Sequence, residues 1–126
     1  MQIFGHNFIE NSKFTFISNI NEIKKTPANS IILMDFNKEI ITYCKEQNLT
    51  FGVHVETIKE LVLASASQAS YLLVDKNFAK EAQNIANEYM YDAKVLLISK
   101  NEDEIEFCAK NGIDGIIFLE DSSSKD

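Results

Sequence analysis

The sequence contains no arginine and no tryptophan, and only one proline, two cysteines and four glycines among its 126 residues. All 12 basic residues are therefore lysines, and 19 acidic residues give the chain a formal net charge of −7. Arginine provides the planar, bidentate grip on phosphate and guanine, and duplex nucleic acid is bound largely through phosphate neutralisation. We therefore expect this chain not to bind nucleic acid.

Long hydrophobic runs and cysteine patterns are also missing. No apolar run reaches the 18 or more residues of a membrane span, and the N-terminus lacks the basic start and apolar stretch of a secretory signal. Two cysteines, Cys44 and Cys108, are too few for a disulfide framework. These absences predict a cytoplasmic protein with no membrane association.

The glycines form no cofactor motif. Gly5, Gly52, Gly112 and Gly115 match neither the dinucleotide-binding pattern nor a Walker loop. The G-x-S-x-G pattern of a nucleophilic hydrolase is missing as well. The sequence therefore predicts no bound nucleotide cofactor.

What the sequence does contain is an alternation of apolar runs and helical patterns. The predicted strands cover residues 14–17, 31–34, 51–55, 71–74, 95–98 and 116–119. Most of these runs are unbroken and aliphatic, as in strands that are covered on both faces. The clearest helical pattern extends from about Asn77 to Tyr91. Strands that alternate with helices predict right-handed crossovers and a parallel sheet.

This pattern predicts one α/β domain over residues 1–120. We expect residues 1–13 to form an N-terminal arm or short hairpin, and residues 121–126 to be a disordered tail. The predicted fold is a doubly wound, three-layer, flavodoxin-like domain with five or six mainly parallel strands. The alternative is half of a (β/α)8 barrel that is completed by dimerisation; strand order decides between the two.

A weak internal repeat places three small residues at equivalent points of successive helices. Cys44, Ala64 and Cys108 each lie near the end of a helix that precedes a strand. The repeat predicts that both cysteines are small buried residues at the contact between helix and sheet, and not reactive thiols.

The run from Val95 to Glu120, in which a helix ends near Gly112 and a strand follows, resembles the repeating units of phosphate-binding (β/α)8 barrels. Receiver and other flavodoxin-like domains share this pattern. A receiver-like domain would have Asp35 and Asp75 as its strand-end aspartates. The chain lacks an acidic pair after its first strand, and Leu119–Asp121 stands where a receiver has its lysine. The resemblance thus implies a receiver-like module without phosphorylation residues.

Polar residues follow every predicted strand, where ligands of parallel sheets bind. They are Ser18, Asn19, Asp35, Asn37, His54, Glu56, Asp75, Lys76, Ser99, Lys100, Glu120 and Asp121. One interpretation is a ligand site at this edge. The other is that residues such as Asn37, Asp75 and Ser99 only cap the helices that follow.

His54 is the most informative of these residues because it lies in an otherwise apolar strand. It shares a strand face with Gly52, which would leave space for a ligand, and with Glu56. A histidine beside a carboxylate can act as a base or bind a metal. The alternative is a core histidine bonded to a backbone carbonyl or to Glu56. The candidate catalytic residues are His54, Glu56, Asp35 and Asp75; His6, in the N-terminal segment, is interpreted as incidental.

The side chains of Asp35, His54, Asp75 and Glu120 suit a divalent cation, but their spacing matches no metal motif, so no metal site is predicted. The helical stretch 61–66 is apolar around more of its surface than one buried stripe needs. This predicts a homodimer or partner contact, unless the N-terminal arm covers it.

The functional expectation is a non-enzymatic binding or regulatory module with a protein partner or self-association. The alternative is a small enzyme, or a protein that binds a metal or a phosphorylated metabolite, with its site at the strand ends. Whether the chain is an enzyme stays open.

Overall fold

The computed structural model describes residues 1–6, 14–27 and 29–119. The strands are β1 (Gln2–Phe4), β2 (Phe14–Phe16), β3 (Ile31–Asp35), β4 (Phe51–His54), β5 (Tyr71–Val74), β6 (Lys94–Ser99) and β7 (Gly115–Phe118). The helices are α1 (Ile20–Ile23), α2 (Lys38–Glu46), α3 (Ile58–Ala66), α4 (Lys76–Glu88) and α5 (Glu104–Asn111). No helix in the described ranges is long and apolar enough to cross a membrane.

The seven strands form one sheet in the order β2-β3-β4-β5-β6-β7-β1, and every neighbouring pair is parallel. The predicted α/β class and parallel sheet are confirmed. The sheet has seven strands and not five or six, because Gln2–Phe4 pairs with Gly115–Ile117 as an edge strand. Residues 7–13 of the predicted arm, and the predicted tail, lie outside the described residues.

The strand order follows the chain order from β2 to β7 without the reversal that marks a doubly wound sheet. Right-handed crossovers that always advance in one direction place their helices on the same face. Accordingly, all five helices contribute buried residues to one hydrophobic cluster, which also contains Ile32, Val53, Leu72, Val95 and Ile116 of the sheet. We call this the outer face.

The opposite, inner face of the sheet is buried because the sheet curls around it. Its buried residues come from strands alone, within the described ranges: Phe4, Ile31, Leu33, Leu73, Leu96 and Ile117. The ring centroids of Phe4 on β1 and Phe14 on β2 are 4.8 Å apart, although these strands form the two edges of the sheet. Tyr71 of β5 lies 5.7 Å from both rings. The sheet therefore curls until its edges meet through side chains.

Gly52 helps to close this inner face. A Cβ atom there would lie 2.9 Å from the Cβ of Tyr71 and 3.0 Å from the side chain of Leu33. The space beside Gly52 is thus occupied by neighbouring side chains. The interpretation that this glycine leaves room for a ligand is wrong.

Candidate functional site

The candidate site lies where the inner face ends, at the C-terminal ends of three adjacent strands. Asp35 is the last residue of β3, His54 is the last residue of β4, and the two are partners in the register of the sheet. Asp75 follows β5 directly. Since side chains alternate along a strand, these residues continue the rows of Leu33 and Leu73 on the inner face. The fold therefore brings these three candidate residues together at the C-terminal end of the curled sheet, which we call its mouth.

His54 makes two side-chain contacts, one from each ring nitrogen. Its Nδ1 lies 3.1 Å from Oδ1 of Asp35, and its Nε2 lies 3.3 Å from Oδ2 of Asp75. Ionised carboxylates only accept hydrogen bonds, so both ring nitrogens donate when both contacts form, and the imidazole is then a cation. The predicted core histidine bonded to Glu56 or to a backbone carbonyl is therefore corrected: its partners are two aspartates from neighbouring strands.

The environment acts on the pKa of His54 in two opposite directions. Burial disfavours the charged ring and lowers the pKa, while the hydrogen bonds and negative charges of Asp35 and Asp75 raise it. The net result is a raised pKa. The His54 side chain is only 18% exposed, whereas those of Asp35 and Asp75 are 77% and 55% exposed. The arrangement is a largely shielded imidazole between two solvent-exposed carboxyl groups.

Asp75 is not used as a helix cap. It occupies the N-cap position of α4, but its side chain makes no capping hydrogen bond. At the corresponding positions of α2 and α3, the side chains of Asn37 and Thr57 accept hydrogen bonds from the backbone N–H groups of Ile40 and Glu60, at 3.0 and 3.1 Å. The capping interpretation thus holds for Asn37 and is wrong for Asp75, whose carboxylate is turned to His54.

Glu56 completes the cluster. It follows β4 by two residues and is exposed. Potential ligand atoms of His54, Glu56 and Asp75 all lie within 4.8 Å of one another. With Asp35, three carboxylates surround one imidazole, so the cluster is net negative even when His54 is charged. Such a set can attract a cation, and it is a poor receptor for phosphate.

The other strand-end residues serve local roles. Asn19 caps α1 through the N–H of Glu22 at 3.0 Å. The Ser99 hydroxyl donates to Oε1 of Glu104 at 2.5 Å. The Lys76 ammonium pairs with Glu104 at 3.6 Å and lies 5.0 Å from the ring centroid of Phe107, so it contacts α5. Glu120 and Asp121 lie outside the described residues.

His6 contacts Glu102 and Phe118. It follows the edge strand β1 by two residues, its Nε2 lies 2.5 Å from Oε2 of Glu102, and its ring lies 5.6 Å from that of Phe118. It therefore lies at the same C-terminal end of the sheet as His54. A three-residue strand is too short to show a period, so local sequence patterns did not predict this placement.

The cysteines play no part in the site. Cys44 and Cys108 are fully buried, as the internal repeat predicted. Burial raises the pKa of each thiol to about 11, and the nearby Glu104 adds to the effect at Cys108. We therefore expect both thiols to be protonated near neutral pH.

No known family model matches the chain, and no curated protein matches it either.

Proposed function

We propose that this domain binds a divalent cation at the mouth of its curled sheet, through Nε2 of His54 and the carboxylates of Asp75 and Glu56. The observation that carries the proposal is the placement of the Asp75 carboxylate, 3.3 Å from Nε2 and free of its capping role. Ligand atoms on one Zn²⁺ at about 2.1 Å lie roughly 3–3.5 Å apart, so these two atoms are already spaced to share a cation.

Asp35 has the supporting role in this arrangement. It accepts the Nδ1 hydrogen of His54, which leaves Nε2 as the nitrogen that coordinates. A bound cation would take the place of the proton on Nε2, and the exposed carboxylate of Glu56 would supply the third ligand. One imidazole with carboxylates suits Zn²⁺, Mn²⁺ or Fe²⁺ better than Ca²⁺ or Mg²⁺, which favour oxygen ligands.

A general-base role for His54 is less well supported. A base needs a ring nitrogen with a free lone pair, and both nitrogens of His54 face carboxylates. Three protein ligands would leave coordination positions open for water, as in catalytic metal sites. The small-enzyme alternative is therefore compatible with a metal at the site. The metal would activate a bound water molecule, and the reaction would be a hydrolysis.

The test is titration of the metal-free protein with Zn²⁺, Mn²⁺ and Mg²⁺, followed by calorimetry and thermal unfolding. We expect one site per chain and a higher melting temperature with Zn²⁺ or Mn²⁺, both lost in Asp75→Asn. Asp92→Asn is the matched control because Asp92 is an exposed acid remote from the cluster, in the loop before β6. Equal cation binding by Asp75→Asn and wild type, or binding by neither, would exclude the proposal.

A binding or regulatory module that acts on a protein partner is the second candidate. It is favoured by the outward side of α3, where Ile58, Val62 and Leu63 are large apolar residues in contact with solvent. The two candidates use different parts of the molecule and are compatible with each other.

A further inference from the structure

A groove between α2 and α3 combines apolar and basic side chains. Its volume is about 260 Å³, and Phe36, Ile41 and Leu63 provide its apolar surface. Lys38 and Lys45, seven residues apart and so on one side of α2, flank it. We call this the α2–α3 groove. Among the described residues, its lining contains no acidic side chain.

The charge of the groove is opposite to that of the chain as a whole. The protein has a formal net charge of −7, yet neither Lys38 nor Lys45 forms an ion pair within the described part of the chain. Lys59 lies one helical turn before Leu63, on the same side of α3. The described lining thus has two basic side chains and no acidic one, which favours an acidic ligand.

Apolar side chains extend from the groove across α3. Ile58, Val62 and Leu63 are 45%, 43% and 39% exposed, although α3 has Leu61 and Ala64 fully buried on its other side. Exposed aliphatic side chains that adjoin a recess are typical of a surface that receives a partner. The described part of the N-terminal segment does not cover them, because Gln2–Phe4 pairs with β7 at an edge of the sheet, and β7 and β6 separate it from β5.

We propose that the α2–α3 groove binds an acidic amphipathic helix of a partner protein. The apolar side of that helix would contact Leu63 and Val62, and its carboxylates would pair with Lys38 and Lys45. A second copy of this chain fits less well. A two-fold contact would bring the same lysines together, and three partly exposed aliphatic residues fall far short of the roughly 800 Å² per partner of a stable interface.

The test begins with a displayed library of random 16-residue peptides, panned against the protein in EDTA so that the strand-end site holds no cation. Binders to the Lys38→Glu, Lys45→Glu double variant are removed first. We expect the enriched peptides to have net negative charge and apolar residues at i, i+3 or i+4 spacing. They should shift the backbone NMR signals of Ile41, Thr42 and Leu63. No enrichment, enrichment of neutral or basic peptides, or shifts elsewhere would overturn the proposal.

Affinity measurements on variants then distinguish recognition of charge from non-specific hydrophobic binding. For an enriched peptide, Lys45→Glu should weaken binding at least tenfold, and added salt should weaken wild-type binding. Lys80→Glu is the matched control, since Lys80 is an exposed lysine on α4 without an ion pair in the described residues. Equal loss in both variants would contradict the assignment. So would a wild-type dimer in solution that Leu63→Ser dissociates, because a second copy would then occupy the groove.

Discussion

Replacing Asp75 with asparagine isolates the charge of the strand-end cluster. Asparagine keeps the size of the side chain and can still accept a hydrogen bond from Nε2 of His54, so the substitution removes mainly the negative charge. Because the charge acts on an imidazolium, its effect on stability must depend on pH. The pKa of His54 in the folded protein is raised, with burial lowering it and the two aspartates raising it more.

The size of the effect follows from the separation of the two groups. At the observed 3.3 Å, two unit charges attract by about 1.3 kcal/mol in water and by about 5 kcal/mol at an effective dielectric constant of about 20. Asp75 is more than half exposed, so solvent screening applies and the value near the aqueous limit is appropriate. We expect Asp75→Asn to lower the free energy of unfolding by about 1 kcal/mol where His54 is charged.

The sign of the pH dependence is fixed by the direction of the shift. A group whose pKa is higher in the folded state adds stability that is fully present below its unfolded pKa. That stability is lost as pH rises through the folded pKa. The difference between wild type and Asp75→Asn should therefore be largest near pH 5.5, below the ordinary histidine value of 6.5, and should vanish near pH 9.

Urea unfolding at both pH values, in EDTA, measures this difference. Asp75 also occupies the N-cap of α4, and its charge there interacts with the helix dipole. That contribution is the same at both pH values, so only the change between them reports on His54. Asp92→Asn should show no such change. An Asp75→Asn effect that is equal at pH 5.5 and pH 9, or larger at pH 9, would refute the ion-pair argument.

Two further predictions concern the framework. Gly5→Ala should cost at least about 2 kcal/mol in urea unfolding, because Gly5 has φ +80° and a Cβ would lie 2.3 Å from the carbonyl oxygen of Phe118. Gly112→Ala, with φ +67° and no atom within 4 Å, should cost only about 1 kcal/mol, and equal losses would contradict the steric argument. Cys44 and Cys108 should react with a thiol reagent at pH 8 only after denaturation in guanidinium, because burial raises both pKa values to about 11; rapid labelling of the native protein would refute this.

Local patterns were sufficient to predict most elements of the fold. The apolar runs 31–34, 71–74 and 95–98 all lie in strands of the sheet, since buried parallel strands have unbroken aliphatic sequences. The strand Gln2–Phe4 was missed because its pairing with β7 comes from more than 100 residues further along the chain. Local sequence patterns also did not predict that the sheet curls. It depends on the meeting of Phe4 and Phe14 across the two edges, and no nearby sequence feature specifies that contact.

The sequence singled out the residues of the candidate site but did not predict which of them contact each other. His54, Asp35 and Asp75 were each expected at strand ends, yet a strand end does not reveal which strands are neighbours. The sequence offered Glu56 or a backbone carbonyl as the partner of His54, because Glu56 shares its strand face. The sheet instead places strands β3 and β5 on either side of β4, and their aspartates reach the imidazole first.

The spacing of these three residues was nevertheless a usable signal. Asp35 precedes His54 by 19 residues, and Asp75 follows it by 21. These intervals are close to 20 residues, the spacing at which β3, β4 and β5 begin at Ile31, Phe51 and Tyr71, so the three side chains lie near the same end of three successive strands. If strand order follows chain order, such residues must be lateral neighbours at one end of the sheet. A search for short ligand motifs cannot detect this set, whereas an alignment of the repeating units can, because the period that builds the curled sheet also assembles the cluster.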